Sequence, residues 1–261
     1  MSTPKAIFFD LDGTLLSKGK LTDSAKEALH YAKEKGVLLF VATGRHRNEI
    51  EKMPWFPGLP FDGFVTMNGA YCYVGEEAVF KKTIHKDAVR MVAEYAVSHR
   101  LYCMFCEAVH SYANMSNPAI EAAQLSYGLT VPLIRDPMSA LDAEIYQMVF
   151  VGSSLYEYIR ELPHCNITSW ADSCYDVVAA GVNKWVGILP MLDRFGLTPG
   201  EVAAVGDGPN DIEMLTGAGY SVAMGNAPDN VKASAGFVTG HIDDGGVLEA
   251  VRYLLRDSTN H

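Results

Sequence analysis

Short apolar runs separated by amphipathic segments form the first and last thirds of the chain. Each run is followed by a turn rich in Gly, Asp or Asn, which is typical of a buried strand in a parallel sheet. The runs predict strands at 6–9, 37–42, 64–67, 202–205 and 221–224. Between them, periodic apolar positions predict helices, the first of which is capped by Thr22 or Asp23 and ends at Gly36. This alternation predicts an α/β fold with a Rossmann-like, doubly wound parallel sheet.

Residues 82–182 lack the turn chemistry that follows the other strands. Their apolar pattern predicts helices at 86–99, 118–127 and 154–162, and strands at 102–106, 109–112, 147–151, 166–170 and 175–179. Both ends of this segment return to the first unit, so we interpret it as an inserted α+β cap over the crevice of the sheet. The predicted domains are a core of residues 1–81 and 183–261 and a cap of residues 82–182.

A further helix is predicted to begin at Lys184 and to be stopped by Phe195-Gly196, and Pro190 favours a kink or an early break within it. The last helix is predicted at 246–255. Cys103 and Cys106 form a C-x-x-C in a predicted strand, where positions three apart face opposite sides. We therefore expect the two thiols to be packed and inert.

Composition narrows the class of protein. The 261 residues carry a formal net charge of −10 and no basic patch, which argues against nucleic acid or an anionic membrane as partner. No apolar run reaches the length of a membrane span. The 5 cysteines have no framework spacing, which favours a reducing cytoplasm. A cap over the crevice removes one reason to dimerise, so we expect a monomer.

Two carboxylates follow the first strand, in the sequence Asp10-Leu11-Asp12-Gly13-Thr14-Leu15. In open α/β sheets, ligands bind at the carboxyl ends of strands. Alternation along a strand lets Asp10 and Asp12 face the same crevice, where they repel unless one is protonated or a cation lies between them. One can then act as a nucleophile while the other exchanges protons, and a hard cation held by oxygen ligands would be Mg²⁺.

Four motifs in order resemble those of the haloacid dehalogenase-like phosphohydrolases. They are Asp10-Leu11-Asp12-Gly13-Thr14-Leu15, Ala42-Thr43-Gly44-Arg45, a lone Lys184, and Gly206-Asp207-Gly208-Pro209-Asn210-Asp211. The segments 68–70 and 222–227 resemble the Cof-type branch (subclass IIB), whose α/β cap lies between the second and third motifs. The resemblance covers residues 5–255. Trp185 departs from it, since the branch usually has Gly there, and a ring at this position could narrow the site or touch the cap. The segment 239–245 follows the family's tail only loosely.

The resemblance implies a role for each carboxylate. Asp10 attacks phosphorus and becomes an aspartyl phosphate, while Asp12 protonates the leaving alkoxide and then takes a proton from water. Mg²⁺ is held by the carboxylates of Asp10 and Asp207 and by the backbone carbonyl of Asp12. Asp211 supports the site from behind, fixing Lys184 or a metal-bound water.

The resemblance also implies a set of phosphate contacts, namely Leu11, Thr43, Gly44, Lys184 and Asn210. Thr43 and Asn210 could instead cap helices, and Lys184 could be an exposed helix residue. Arg45 could be a surface residue, so the expected phosphate contacts do not include it.

Other candidate ligand contacts are weaker. His46, His110 and Trp170 are more often structural or exposed. In the cap, the loops at 107–108 and 170–173 are expected to select the substrate.

The predicted activity is Mg²⁺-dependent hydrolysis of a small-molecule phosphoester, with a sugar phosphate as the first candidate. A phosphohexomutase on the same fold is an alternative, but it should carry clustered cap arginines for a second phosphate. The arginines of this segment, Arg90, Arg100, Arg135 and Arg160, are scattered. A non-catalytic protein that binds Mg²⁺ and a metabolite is a second alternative, and the complete set of motif residues argues against it.

Overall fold

Two β-sheets, one of eight strands and one of six, make up most of the fold. The structure, a computed structural model, describes residues 3–126, 130–152, 155–171 and 173–256. Its strands are β1 (Ala6–Phe9), β2 (Leu16–Ser17), β3 (Lys20–Leu21), β4 (Leu38–Ala42), β5 (Gly63–Thr66), β6 (Tyr71–Val74), β7 (Glu77–Lys81), β8 (Cys103–Cys106), β9 (Ser111–Ala113), β10 (Leu133–Ile134), β11 (Gln147–Val151), β12 (Cys165–Ala171), β13 (Cys174–Ala179), β14 (Val202–Gly206), β15 (Tyr220–Ala223) and β16 (Phe237–Val238). Its helices are α1 (Asp23–Glu34), α2 (Arg47–Glu51), α3 (Lys86–His99), α4 (Pro118–Ser126), α5 (Tyr156–Ile159), α6 (Lys184–Phe195), α7 (Ile212–Gly217), α8 (Asp229–Lys232) and α9 (Gly246–Leu254).

The larger sheet has the order β16-β15-β14-β1-β4-β5-β6-β7. Its strands run parallel from β16 to β5, and β6 and β7 add an antiparallel hairpin at one edge. Every residue of the central strand β1 is buried, because apolar side chains cover both faces. Helices α1 and α9 lie over one face and α6 and α7 over the other. The predicted doubly wound sheet is confirmed.

Helix α6 begins and ends where its sequence predicts, but its interior differs from the prediction. The Asn183 side chain caps its first turn, and Gly196 ends it in a left-handed conformation. Of the kink or early break expected at Pro190, the early break is wrong, because the helix continues to Phe195. Pro190 removes one backbone hydrogen bond, but the buried side chains of Ile188 and Met191 hold this part of the helix against the sheet.

The smaller sheet has the order β10-β9-β8-β11-β13-β12. It forms from residues between the two halves of the larger sheet, as predicted for an inserted cap, although the domain boundaries stay a prediction. The predicted hairpin is present as antiparallel β8 and β9, with a longer connection at 107–110. The helix expected at 154–162 is shortened to α5. Residues 127 and 154 lie outside the described residues.

The smaller sheet packs its two faces against different partners. Val177 and Phe105 belong to an apolar cluster with α3 and α5, whereas their chain neighbours Val178 and Cys106 pack with side chains of the larger sheet's unit. One face is therefore covered by cap helices, and the other closes over the larger sheet. Cys103 and Cys106 fall on opposite faces, as predicted, and burial raises the pKa of both thiols, so they are poor nucleophiles. Among the described residues, no helix combines the length and apolar character of a membrane span.

Candidate active site

The carboxyl ends of three neighbouring strands bring the motif residues together. Asp10 follows β1, Thr43 follows β4 and Asp207 follows β14, and β1 pairs in parallel with both of the other strands. Carboxylate oxygens of Asp10, Asp207 and Asp211 lie within 4.8 Å of one another. The strand ends therefore place the predicted nucleophile beside the predicted metal ligand.

Lys184 lies completely buried beneath this cluster. Its Nζ donates to Oδ1 of Asp10 at 2.6 Å and to Oδ1 of Asp211 at 2.5 Å. The first turn of α6 packs tightly on the 67–69 turn: a β-carbon on Gly69 would lie 2.1 Å from the carbonyl oxygen of Asn183. This packing fixes where the helix begins and hence where the ammonium group lies. The alternative of an exposed helix lysine is wrong.

Asp207 is held through both of its oxygens. Oδ1 accepts a hydrogen bond from the Thr14 hydroxyl at 2.9 Å, and Oδ2 accepts one from Nδ2 of Asn226 at 3.2 Å. Gly13 has a φ of +84°, and a β-carbon there would lie 2.0 Å from Oδ2 of Asp207. Thr14 and Asn226 lie within the family-like segments, but the sequence alone assigns them no role.

Asp211 has both oxygens engaged by protein groups. Oδ1 accepts from Lys184, and Oδ2 accepts from the backbone N–H groups of Asp207 at 2.9 Å and Gly208 at 2.8 Å. These contacts fit the predicted supporting role, because they orient Lys184 and the turn that carries Asp207. They leave Asp211 less suited than Asp10 or Asp207 to hold a cation.

Arg45 clamps Asp12. Its Nε donates to Oδ2 at 2.6 Å and its Nη2 to Oδ1 at 2.7 Å, the parallel fork that guanidinium and carboxylate groups favour. The Arg45 side chain is 9% exposed and the Asp12 side chain 48%. The expectation that Arg45 is a surface residue is therefore wrong. The sequence did contain a signal for this contact: an arginine in the second motif can form a paired hydrogen bond with a carboxylate of the first motif.

Hydrogen bonds connect the turn after β4 to Asn68 and then to Asn210. Thr43 is buried, and its hydroxyl accepts a hydrogen bond from the Arg45 backbone N–H at 3.1 Å. The backbone N–H of Asn68 donates to the Thr43 carbonyl at 3.0 Å. The Oδ1 of Asn68 in turn accepts from Nδ2 of Asn210 at 2.9 Å. Asn68 thus links the second motif to the fourth, a role that the sequence did not indicate.

Leu11 can offer only its backbone to a ligand. Its side chain is fully buried in the apolar core, and its carbonyl already accepts hydrogen bonds from the following turn.

Electrostatics in the cluster favour a bound cation. Burial raises the pKa of Asp10 well above its usual range, opposed by Lys184 and reinforced by Asp211 and Asp207. Burial also raises the pKa of Asp207 to about 7, and Asp211 adds to this shift. Burial alone would lower the pKa of Lys184, but the carboxylates of Asp10 and Asp211 raise it, so the ammonium stays charged.

Comparison with known proteins agrees with this geometry. The family model described as haloacid dehalogenase-like hydrolase matches residues 7–251. The chain belongs to this family. Haloacid dehalogenase-like relatives include the subclass IIB sugar phosphatase BT4131, whose structure superposes with a TM-score of 0.88 at 35% identity, covering 95% of this chain and 98% of that one. The resemblance of the motifs is thereby confirmed, and with it the assignment of the chain to the phosphatases of this family.

Curated haloacid dehalogenase-like relatives have different substrates in their names. The 5-amino-6-(5-phospho-D-ribitylamino)uracil phosphatase YcsE of Bacillus subtilis is 28% identical, with 96% of each chain covered. The pyridoxal phosphate phosphatase YbhA of Escherichia coli is 29% identical, covering 91% of this chain and 94% of that one. Two other relatives are longer, and the match to this chain covers 46% and 54% of their lengths.

Two tryptophans of this haloacid dehalogenase-like chain, Trp185 and Trp170, were expected to lie near the ligand or the cap. Trp185 packs in the apolar layer beside the larger sheet, where a β-carbon on Gly217 would lie 2.3 Å from the indole. The partly buried ring thus packs against the apolar layer on this face of the larger sheet. The side chain of Trp170 and all of residue 172 lie outside what the structure describes.

His46 joins the catalytic unit to the cap. Its Nδ1 accepts the Asn48 backbone N–H at the start of α2, so its Nε2 carries the proton and donates to the Glu107 carbonyl at 2.8 Å. Burial lowers the pKa of His46 to about 4. These contacts support a structural role for His46.

Acid is expected to weaken the fold through His46. An unfolded histidine takes up a proton near pH 6.5 and the folded one near pH 4, so the unfolded state binds more protons between these values. Stability should fall through this window by up to about 3 kcal/mol as the pH is lowered. Urea unfolding of wild type and His46→Asn from pH 7 to 4 measures it. The variant should show a flatter profile, whereas the exposed control His30→Asn should follow wild type; parallel profiles for wild type and His46→Asn would contradict the assignment.

Proposed function

We propose that the protein is a Mg²⁺-dependent phosphomonoesterase that acts on a small phosphorylated metabolite through an aspartyl phosphate on Asp10. A sugar phosphate is the first candidate substrate. The observation that carries the proposal is the pairing of two carboxylates with different partners at one strand end. Asp10 is buried on Lys184, whereas Asp12 is half-exposed and clamped by Arg45.

The residues present fit Mg²⁺. Asp10 and Asp207 offer carboxylate oxygens close together, and Asp211, with both oxygens engaged, supports them. We propose Asp10, Asp207 and the backbone carbonyl of Asp12 as the protein ligands, an all-oxygen set of the kind that Mg²⁺ prefers. When bound, the ion offsets the repulsion between these carboxylates and an incoming phosphoryl group.

Asp10 and Asp12 divide the reaction between them. A carboxylate oxygen of Asp10 forms a bond to phosphorus as the bond to the leaving oxygen breaks, and protonated Asp12 gives its proton to that oxygen. Water then attacks phosphorus and gives a proton to the Asp12 carboxylate as the bond from phosphorus to Asp10 breaks. Phosphate is released and both side chains return to their starting states.

The remaining motif residues position these two groups. Lys184 orients the nucleophile and offers positive charge to the phosphoryl oxygens, and Thr43, Gly44, Asn210 and the Leu11 backbone are the other proposed phosphate contacts. Arg45 orients Asp12, because its two hydrogen bonds fix the orientation of the Asp12 carboxylate.

The ion pairs of two described cap arginines do not favour the mutase alternative. Arg135 pairs with Glu107 at 3.5 Å and Arg160 with Glu157 at 3.2 Å, so neither is organised with another arginine around a second phosphate. We expect a small-molecule partner and neither nucleic acid nor membrane, and a cytoplasmic monomer remains our expectation.

Asp12→Asn tests the division of labour. Nitrophenolate leaves without a proton, so the variant should release one nitrophenolate per chain from p-nitrophenyl phosphate at a rate within about tenfold of wild type. Steady-state turnover should fall roughly 10²–10⁴-fold, because the second step lacks its base. Rapid-quench and steady-state assays with Mg²⁺ measure both, with Asp244→Asn as an exposed control of equal charge. A first turnover that slows as much as the steady state would contradict the assignment, and a wild type inactive on every ester would overturn the proposed function.

A further inference from the structure

The segment that follows β15 returns to the carboxyl ends of the central strands. The backbone N–H of Met224 donates to the carbonyl of Gly206, the last residue of β14, at 3.0 Å. Gly225 lies so close to the backbone of Gly240 that a β-carbon on it would lie 2.6 Å from the Gly240 carbonyl carbon. These contacts hold the turn in place, so the side chain of the next residue, Asn226, has a defined position beside the fourth motif.

The Asn226 carboxamide joins the two motifs that carry the proposed Mg²⁺ ligands. Its Nδ2 donates to the Gly13 carbonyl at 2.9 Å and to Oδ2 of Asp207 at 3.2 Å. Its Oδ1 accepts the backbone N–H of Ile242 at 3.0 Å. A primary amide has two N–H donors, so one nitrogen can serve both acceptors at once. The side chain therefore connects the turn of the first motif directly to the carboxylate of the fourth.

Gly13 lies next to the third proposed ligand, the backbone carbonyl of Asp12. The peptide bond between these two residues is trans, so its N–H and C=O groups point in opposite directions. The Gly13 N–H donates to the Leu16 carbonyl at 2.9 Å, which directs the Asp12 carbonyl to the other side. Since Asn226 holds the Gly13 carbonyl, it restrains the turn that presents the Asp12 carbonyl as well as the carboxylate of Asp207.

The C-terminal segment fixes the orientation of Asn226. Ile242, which donates to its Oδ1, is buried, and Oδ1 of the adjacent Asp243 accepts the Ser17 hydroxyl at 2.6 Å. Ser17 ends β2, in the hairpin that follows the first motif. The segment 239–245, which follows the family's tail only loosely, thus contacts both this hairpin and the carboxamide.

We propose that Asn226 is a positioning residue that sets Mg²⁺ affinity by holding Asp207 and the Asp12–Gly13 turn at a fixed separation. The inference rests on the proposed Mg²⁺-dependent phosphatase function. Mg²⁺ requires near-octahedral geometry with ligand distances of about 2.0–2.1 Å, whereas Ca²⁺ accepts irregular sets at about 2.3–2.6 Å. Ligands on two separate turns meet the stricter requirement only when the turns are held together. A neutral amide does so by donating to both turns, and it adds no charge that would compete with the ion.

Calorimetric titration with Mg²⁺ and with Ca²⁺, in the absence of any phosphoester, tests the proposal. In Asn226→Ala, Mg²⁺ affinity should fall roughly 10–100-fold, the usual effect of removing a group that orients a metal ligand. Ca²⁺ affinity should fall by less than about threefold, because that ion tolerates displaced ligands. The Mg²⁺ concentration that half-activates hydrolysis of p-nitrophenyl phosphate should rise together with the dissociation constant measured by calorimetry.

Two further variants separate the metal site from the stability of the fold. Asn226→Ser keeps a polar side chain that is too short to connect the two motifs, so it should show the same selective loss. Asn114 is the matched control, since in the cap its Oδ1 accepts the Cys103 N–H at 2.9 Å and its Nδ2 donates to the Leu101 carbonyl at 2.6 Å. Asn114→Ala should therefore lose the same kinds of hydrogen bond and still bind both ions as wild type does.

The outcomes distinguish this inference from the function on which it rests. An unchanged Mg²⁺ affinity in the Asn226 variants, or an equal loss for Mg²⁺ and Ca²⁺, overturns the positioning role, while Mg²⁺-dependent hydrolysis by wild type still upholds the phosphatase. Should Asn226→Ala not fold, Asn226→Ser decides alone. A wild type that neither binds Mg²⁺ nor releases phosphate from any ester overturns both proposals.

Discussion

Asp10→Asn should lower phosphate release by at least about 10⁴-fold, because the amide cannot form the bond to phosphorus on which turnover depends. The substitution keeps the shape of the side chain and removes a carboxylate whose pKa burial has raised, so the fold should survive it. Lys184 keeps its second partner, Asp211. The measurement is phosphate release from p-nitrophenyl phosphate with Mg²⁺, alongside thermal unfolding.

The control for this result is Asp193→Asn, which removes one negative charge from an exposed position of α6. It should retain wild-type turnover. Folded Asp10→Asn that keeps more than about a tenth of wild-type activity would mean that another group attacks phosphorus. Equal loss in both variants would point to net charge rather than to the nucleophile.

Local sequence patterns predicted the strands at the site well. Apolar runs that end in Gly, Asp or Asn turns are fixed by burial on both faces of a parallel sheet, and β1, β4 and β14 begin and end close to the predicted residues. Parallel pairing then brings their carboxyl ends to one edge. The proximity of Asp10 to Asp207 follows from that topology without any knowledge of the cap.

Contacts between distant segments were beyond such patterns. Arg45 is buried because its guanidinium meets Asp12, which lies 33 positions away in the chain. Asp176 reaches the site only because the register of the cap sheet turns it towards Asn68, 108 positions away. Charged residues are most often exposed, so a sequence alone predicts exposure for such a residue until its tertiary contacts are known.

Removing Lys184 should be the most damaging single change to the fold of the site. In Lys184→Met, the carboxylates of Asp10 and Asp211 face each other in a buried cluster without a cation of their own. Breaking a buried pair in this way costs about 3–5 kcal/mol of unfolding free energy. The partly exposed pair of Lys33 with Asp62 is the comparison, and Lys33→Met should cost at most about 1 kcal/mol. Activity should also be lost, because Lys184 orients the nucleophile.

The pH dependence of Lys184→Met identifies the cause. Burial and the neighbouring carboxylates already raise the pKa of Asp10, and Lys184→Met removes the positive charge that opposes them. The folded variant then takes up a proton that the unfolded chain does not, so lowering the pH from 7 to 5 should recover part of the lost stability relative to wild type. Asp10→Asn combined with Lys184→Met should recover it at pH 7. Urea unfolding of the single and double variants, all without Mg²⁺, measures these differences. A Lys184→Met loss below about 1 kcal/mol, or one that the double variant does not reduce, would mean that the buried carboxylates do not depend on this lysine.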